Sequence, residues 1–76
     1  MEGELQQIVG RNLRRHRRLL GLSQERFADA LGVHRTYAGG LERGEYNLSL
    51  RSLERLAKRL GLNARELLHS DESARR

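Results

Sequence analysis

Arg35, Thr36 and Arg43 are side chains whose types and spacing suit recognition of another molecule. Read on a 3.6-residue wheel, the segment from His34 to Glu42 is a short helix; its outward positions are Thr36, Gly39, Gly40 and Arg43, with Arg35 at the exposed leading end. This face carries no acid and no large apolar group. An arginine fork donates two parallel hydrogen bonds to guanine O6 and N7, and a threonine methyl packs on a thymine methyl. The chemistry is that of a helix entering the major groove of DNA. Glycine inside a helix costs about 1 kcal/mol relative to alanine, so the adjacent Gly39 and Gly40 need a reason. Close approach of a groove wall or a phosphate to the helix backbone supplies one; the alternative is an exposed helix that simply tolerates a poor former.

Such a face works only if other elements hold it. Ser23 is a good N-cap and Glu25 complements the dipole of a helix that begins there. Phe27, Ala28 and Leu31 form its buried stripe, Gly32 stops it, and Val33 pins the turn. In the helix that follows, Ala38 and Leu41 face inward, with Glu42 beside them, and Gly44 closes it. Each helix is about two turns long, too short to persist alone. Packed at a steep angle through Phe27, Leu31, Val33, Ala38 and Leu41, the pair takes helix-turn-helix geometry.

The flanking segments are helical too. Glu4 to Leu20 places Val9, Leu13, His16, Arg17 and Leu20 on one face and Arg11, Arg14, Arg15 and Arg18 on the other, with Ile8 and Leu19 off the main stripe. Arg17 therefore points inward while its basic neighbours are solvated. Ser49 caps a fourth helix with the stripe Leu50, Leu53, Leu56, Ala57 and Leu60; Arg51, Arg55, Lys58 and Arg59 face solvent. Asn63 caps a short fifth helix bearing Leu67 and Leu68. No stretch alternates as a strand does, so the fold class is all-α with five helices. Residues 1–69 form one domain, and residues 70–76 read as a disordered tail.

Seventy-six residues leave room for a single modest core. The net charge of +5 and a pI near 11.0 favour a polyanionic partner, nucleic acid before membrane. There is no cysteine, no apolar run of membrane-spanning length and no signal-peptide core, which makes a soluble cytoplasmic protein the default. His16, His34 and His69 fit no metal-ligand spacing, and no grouping resembles a catalytic constellation. No enzyme activity, cofactor or small-molecule ligand is expected.

The segment Ser23 to Gly44 resembles the helix-turn-helix of the Cro/repressor-like (Xre) transcriptional regulators, through Leu-Ser-Gln-Glu at 22–25, Phe-Ala at 27–28, Leu-Gly-Val at 31–33 and Leu-Glu-Arg-Gly at 41–44. Leu50 to Leu60 resembles that family's fourth helix, and the likeness covers roughly residues 8 to 68. His-Arg-Thr-Tyr at 34–37 and Tyr-Asn-Leu-Ser-Leu at 46–50 further resemble the controller proteins of restriction–modification systems. The resemblance implies a lambda-repressor-like DNA-binding domain acting as a homodimer on a palindromic operator in double-stranded DNA, with RNA polymerase a further partner. It implies that Arg35 and Thr36 read bases, and that Gln24 meets a phosphate or a base beside them. Tyr37, Arg43 and Asn47 would hold phosphates. Gly40 stands where relatives often carry a longer polar side chain, which shifts specificity toward Arg35, Thr36 and DNA shape. His16 stands where they usually carry an aliphatic residue, implying a partly buried ring. Arg17 and Glu42 are expected to form a largely buried ion pair. Leu62, Leu67 and Leu68 are assigned to a dimer interface, since so small a monomer cannot bury both Leu67 and Leu68; a short C-terminal helix folded back over the core is the alternative, and the resemblance favours the dimer. The competing reading is a protein-interaction module on the same fold, an antitoxin or bridging adaptor, binding through Leu67 and Leu68.

Overall fold

The computed structural model describes residues 3–70. The described residues form five helices and no strand: α1 Glu4–Leu19, α2 Gln24–Leu31, α3 Arg35–Glu42, α4 Leu50–Arg59 and α5 Ala64–Leu68. None is long and apolar enough to cross a membrane. The expected disorder of the tail concerns residues that, apart from Ser70, lie outside the described ones.

Local chemistry sets the boundaries. Ser23 Oγ accepts the Arg26 amide at 3.2 Å, and Ser49 Oγ accepts the Ser52 amide at 3.0 Å. Asn63 and Glu66 form a reciprocal capping box at the start of α5. His34, expected inside α3, is instead its cap, with Nδ1 accepting the Thr36 amide at 3.1 Å. Caps of this kind are worth about 0.5–2 kcal/mol each, a large share of what two-turn helices need. Gly32 and Gly44 close α2 and α3 at φ +74° each, a left-handed turn that other residues adopt only with strain.

Phe27, Leu13 and Leu67 are fully buried, and Val9, Leu31, Leu41, Leu53, Leu56 and Ala57 complete the core around them. α1 lies across α3 on one side and α5 on the other. This double contact widens its buried face, so Ile8 is buried, contrary to its expected place off the stripe. Asn12 is buried as well, and its Nδ2 donates to the carbonyls of Leu67 at 2.7 Å and His69 at 2.9 Å. These bonds fasten the end of α5 to the middle of α1. Leu67 is thus a core residue, which corrects its assignment to a dimer interface; α5 folds back over the core, and Leu62 and Leu68 pack partly buried against it.

Three further expectations are corrected. Leu20 is 58% exposed, because it is the C-cap residue where the chain leaves α1. Leu50 is 76% exposed, because it opens α4 one turn before the first buried leucine, Leu53. Arg59 is not simply solvated: its Nε donates to the Ala30 carbonyl at 3.0 Å and its Nη2 to that of Asp29 at 3.4 Å. It thereby adds donors to the carbonyls at the C-terminal end of α2, where that of Asp29 also accepts the Gly32 amide at 3.1 Å.

Candidate nucleic-acid interface

Only the first turn of α3 faces solvent. Arg35 and Thr36 are exposed, Tyr37 is half-buried, and every residue from Ala38 to Glu42 is buried. This corrects the outward placement of Gly39 and Gly40. A Cβ on Gly40 would overlap the ring of Tyr46, which lies directly on the helix backbone. A Cβ on Gly39 would come within 3.2 Å of Gln24 Oε1 and 3.3 Å of Arg43 Nη1, both of which cover it. The two glycines let side chains of the protein itself close over the helix.

Tyr46 also meets Tyr37, with ring centroids 4.7 Å apart and planes tilted by 39°. The loop carrying it is tied to α1 by Gln6, whose Nε2 donates to the Tyr46 carbonyl at 3.2 Å and to Asn47 Oδ1. Asn47 and Arg43 are exposed, and Arg43 donates from Nε and Nη2 to Glu45 at 2.8 and 3.2 Å. That pair raises the Arg43 pKa and lowers that of Glu45 through the hydrogen bond. Exposed ion pairs of this sort add little stability, so Arg43 is free to exchange Glu45 for another anion at small cost.

Beneath this surface sits Glu42, whose side chain is wholly buried. Arg17 chelates it, Nε to Oε2 at 2.7 Å and Nη2 to Oε1 at 3.1 Å, and its Nη1 donates to the Leu22 carbonyl at 3.3 Å. Gln24 Nε2 and Arg14 Nε each reach Oε1 at 3.3 Å. Burial pushes the Glu42 carboxyl up, but the bonds from Arg17, Gln24 and Arg14, with the Arg17 charge, outweigh it and hold the pKa below the ordinary 4.5. The same hydrogen bond raises Arg17. Glu42 thereby joins α1, the start of α2 and the end of α3.

Several residues that set this geometry escaped the sequence reading. Gly10 lies where a Cβ would stand 2.5 Å from the Glu42 carbonyl oxygen and 2.6 Å from that of Leu41, so α1 and α3 touch backbone to backbone. A glycine in mid-helix was its signal, the same one that flagged Gly39 and Gly40. Asn12 announced itself as a polar residue beside Leu13 on the inner face. Gln6 and Tyr46 offered no signal, since their partners lie across helix ends. His16 is half-buried, in a shallow groove with Arg15, Arg65, Glu66 and His69.

The profile of a family described as helix-turn-helix matches residues 13–67. Control protein C.SmaI of Serratia marcescens is 42% identical over 65 residues, spanning 86% of this chain and 77% of that protein. Among solved structures, the restriction-modification controller protein C.AhdI from Aeromonas hydrophila superposes with a TM-score of 0.71 at 44% identity, over 82% of this chain and 94% of that one. The hypothetical transcription factor NHTF from Neisseria superposes with a TM-score of 0.83 at 34% identity, over 97% and 85%.

Proposed function

Because this chain belongs to the Xre-type helix-turn-helix family of DNA-binding transcriptional regulators, we propose that it is a controller-type regulator that binds a palindromic operator as a homodimer in the cytoplasm. The likeness to C.SmaI and C.AhdI supports the controller assignment. The observation that carries the reading mode is the exposure of α3: Arg35 and Thr36 stand free on its first turn while the rest of the helix is anchored. Arg35 pairs bidentately with guanine and Thr36 touches a thymine methyl; each good contact supplies roughly 1–3 kcal/mol of discrimination. Gln24, Arg43, Tyr37 and Asn47 hold the phosphates beside them. Gly39 and Gly40 contact DNA only through the side chains that cover them. Two such helices, about 34–36 Å apart in a dimer, enter successive major grooves. Covering a promoter represses; touching RNA polymerase activates. The interaction-module reading loses its main anchor, since Leu67 is in the core. Leu62 and Leu68 are the members of the proposed dimer contact that reach the surface.

Selection of bound sequences from random duplex DNA at physiological salt tests this. A two-fold symmetric consensus is expected. Arg35→Ala should relax preference at one position per half-site, and Arg43→Ala should weaken binding to all sequences and flatten its salt dependence. Binding without sequence preference, or equal loss of specificity in both variants, overturns the assignment.

A further inference from the structure

We propose that Arg14 is a phosphate-binding residue, held ready by Glu42, that extends the DNA-contacting surface from the helix pair onto α1. The inference rests on the regulator reading above. Its starting point is a surplus of charge at Glu42. Arg17 alone neutralises that carboxylate, using both of its oxygens and spending its third nitrogen on the Leu22 carbonyl. Arg14 is a second cation on the same acid, joined through Nε at 3.3 Å, the longer contact. Its side chain is 43% exposed, against 18% for Arg17. One carboxylate with two guanidiniums leaves one net positive charge, and that charge resides on the arginine open to water.

Its position gives the charge a purpose. Glu42 Oε1, which Arg14 contacts, also accepts from Gln24 Nε2 at 3.3 Å. The other end of the Gln24 carboxamide lies over Gly39, beside the Arg43 guanidinium. Arg14 and Arg43 thus flank Gln24, whose Nε2 donates to Glu42 and whose Oε1 faces Arg43, along one edge spanning α1, α2 and the end of α3. Gln24 and Arg43 are already the candidate phosphate contacts, and a strand that meets both passes the arginine that shares an oxygen with Gln24. A guanidinium fixed at Nε keeps its terminal nitrogens for a phosphate, and holding it beforehand lowers the entropy lost on binding. The two roles are compatible: Arg14 need not leave Glu42 to bind.

The test is the salt dependence of binding to the selected operator duplex, measured for the parent protein, Arg14→Gln, Arg14→Lys and Arg18→Gln. Arg18 is exposed on the same helix and stands outside the Glu42 cluster. Loss of one phosphate contact makes the slope of log K against log salt shallower by about 0.9 per protomer. R14Q is expected to show that change with its base preference intact, R14K to retain the parental slope, and R18Q to match the parent. Thermal unfolding of each variant separates a structural effect. If R14Q lowers the unfolding midpoint yet keeps the parental slope, Arg14 merely buttresses Glu42 and the proposal fails. It fails equally if R18Q flattens the slope as much as R14Q does. Sequence preference in the parent protein with an unchanged R14Q slope overturns this inference alone; a parent that binds DNA without preference overturns the regulator reading.

Discussion

At the scale of single residues, the adjacent glycines of α3 show how a helix can gain from poor helix formers. Exchange of Gly40 for alanine would return about 1 kcal/mol of helix propensity. Against that, the new methyl group enters space held by the Tyr46 ring, which stacks on Tyr37 and is restrained through its carbonyl by Gln6. Overpacking of this kind costs about 1–3 kcal/mol, so the steric term wins. Gly40→Ala is expected to destabilise the protein, and Tyr46→Ala, which removes the obstacle, to make the same exchange neutral or favourable. Urea unfolding of the two single variants and the double variant measures the coupling directly; additive effects would refute the contact. Gly39 differs in degree, because the atoms above it are ends of the flexible Gln24 and Arg43 side chains, which can yield by a few tenths of an ångström.

At the scale of elements, the starts of α2, α4 and α5 were legible because caps are local, whereas His34 was read as the first residue of α3 when it is the cap. Ser23, Ser49 and Asn63 act within three residues of themselves, and Gly32 and Gly44 end helices by their own backbone conformation. The inward turn of Arg17 and Glu42 was legible for a similar reason, since a wheel needs only the pattern along one helix. What the sequence hid was which elements cover which faces. The wheel treats α1 as having one neighbour, whereas α3 and α5 both pack on it, and so Gly10 and Asn12 were overlooked and Ile8 was placed off the buried stripe. α3 was read as open along its whole outer face, because a loop residue four positions past its end gave no hint of folding back. Gly10 tests the consequence. Its opposing atoms are the main-chain oxygens of Leu41 and Glu42, which have no rotamer to adopt, so Gly10→Ala must push α1 off the end of α3. A loss of at least about 1–3 kcal/mol is expected, and, since α1 locates the reading helix, operator affinity should fall by more than affinity for random duplex. Equal loss on both DNAs would show that the α1–α3 crossing does not set the position of α3.

At the scale of the whole molecule, Glu42 ties the fold to pH. A domain of this length is held by only about 4–11 kcal/mol, and removing one partner from a buried ion pair typically costs about 3–5 kcal/mol. The hydrogen bonds from Arg17, Gln24 and Arg14 overcome the burial that opposes them, so the folded-state pKa lies below the ordinary 4.5. A carboxyl depressed in the folded state stabilises the protein fully above its unfolded value and loses that contribution as pH falls through the folded one. Stability from this group should therefore be flat from neutrality down to about pH 5 and decline below 4.5 as the carboxylate takes up its proton. The loss should depend little on salt, because the pair is shielded from solvent, whereas any contribution of the exposed Arg43–Glu45 pair should fade as ionic strength rises. Carboxyl-detected NMR titration of the parent protein, run beside thermal unfolding across the same pH range, measures both sides of the linkage. A Glu42 midpoint at or above 4.5 would mean that burial, not the arginines, governs the carboxylate, and that the junction of the three helices is held by packing alone.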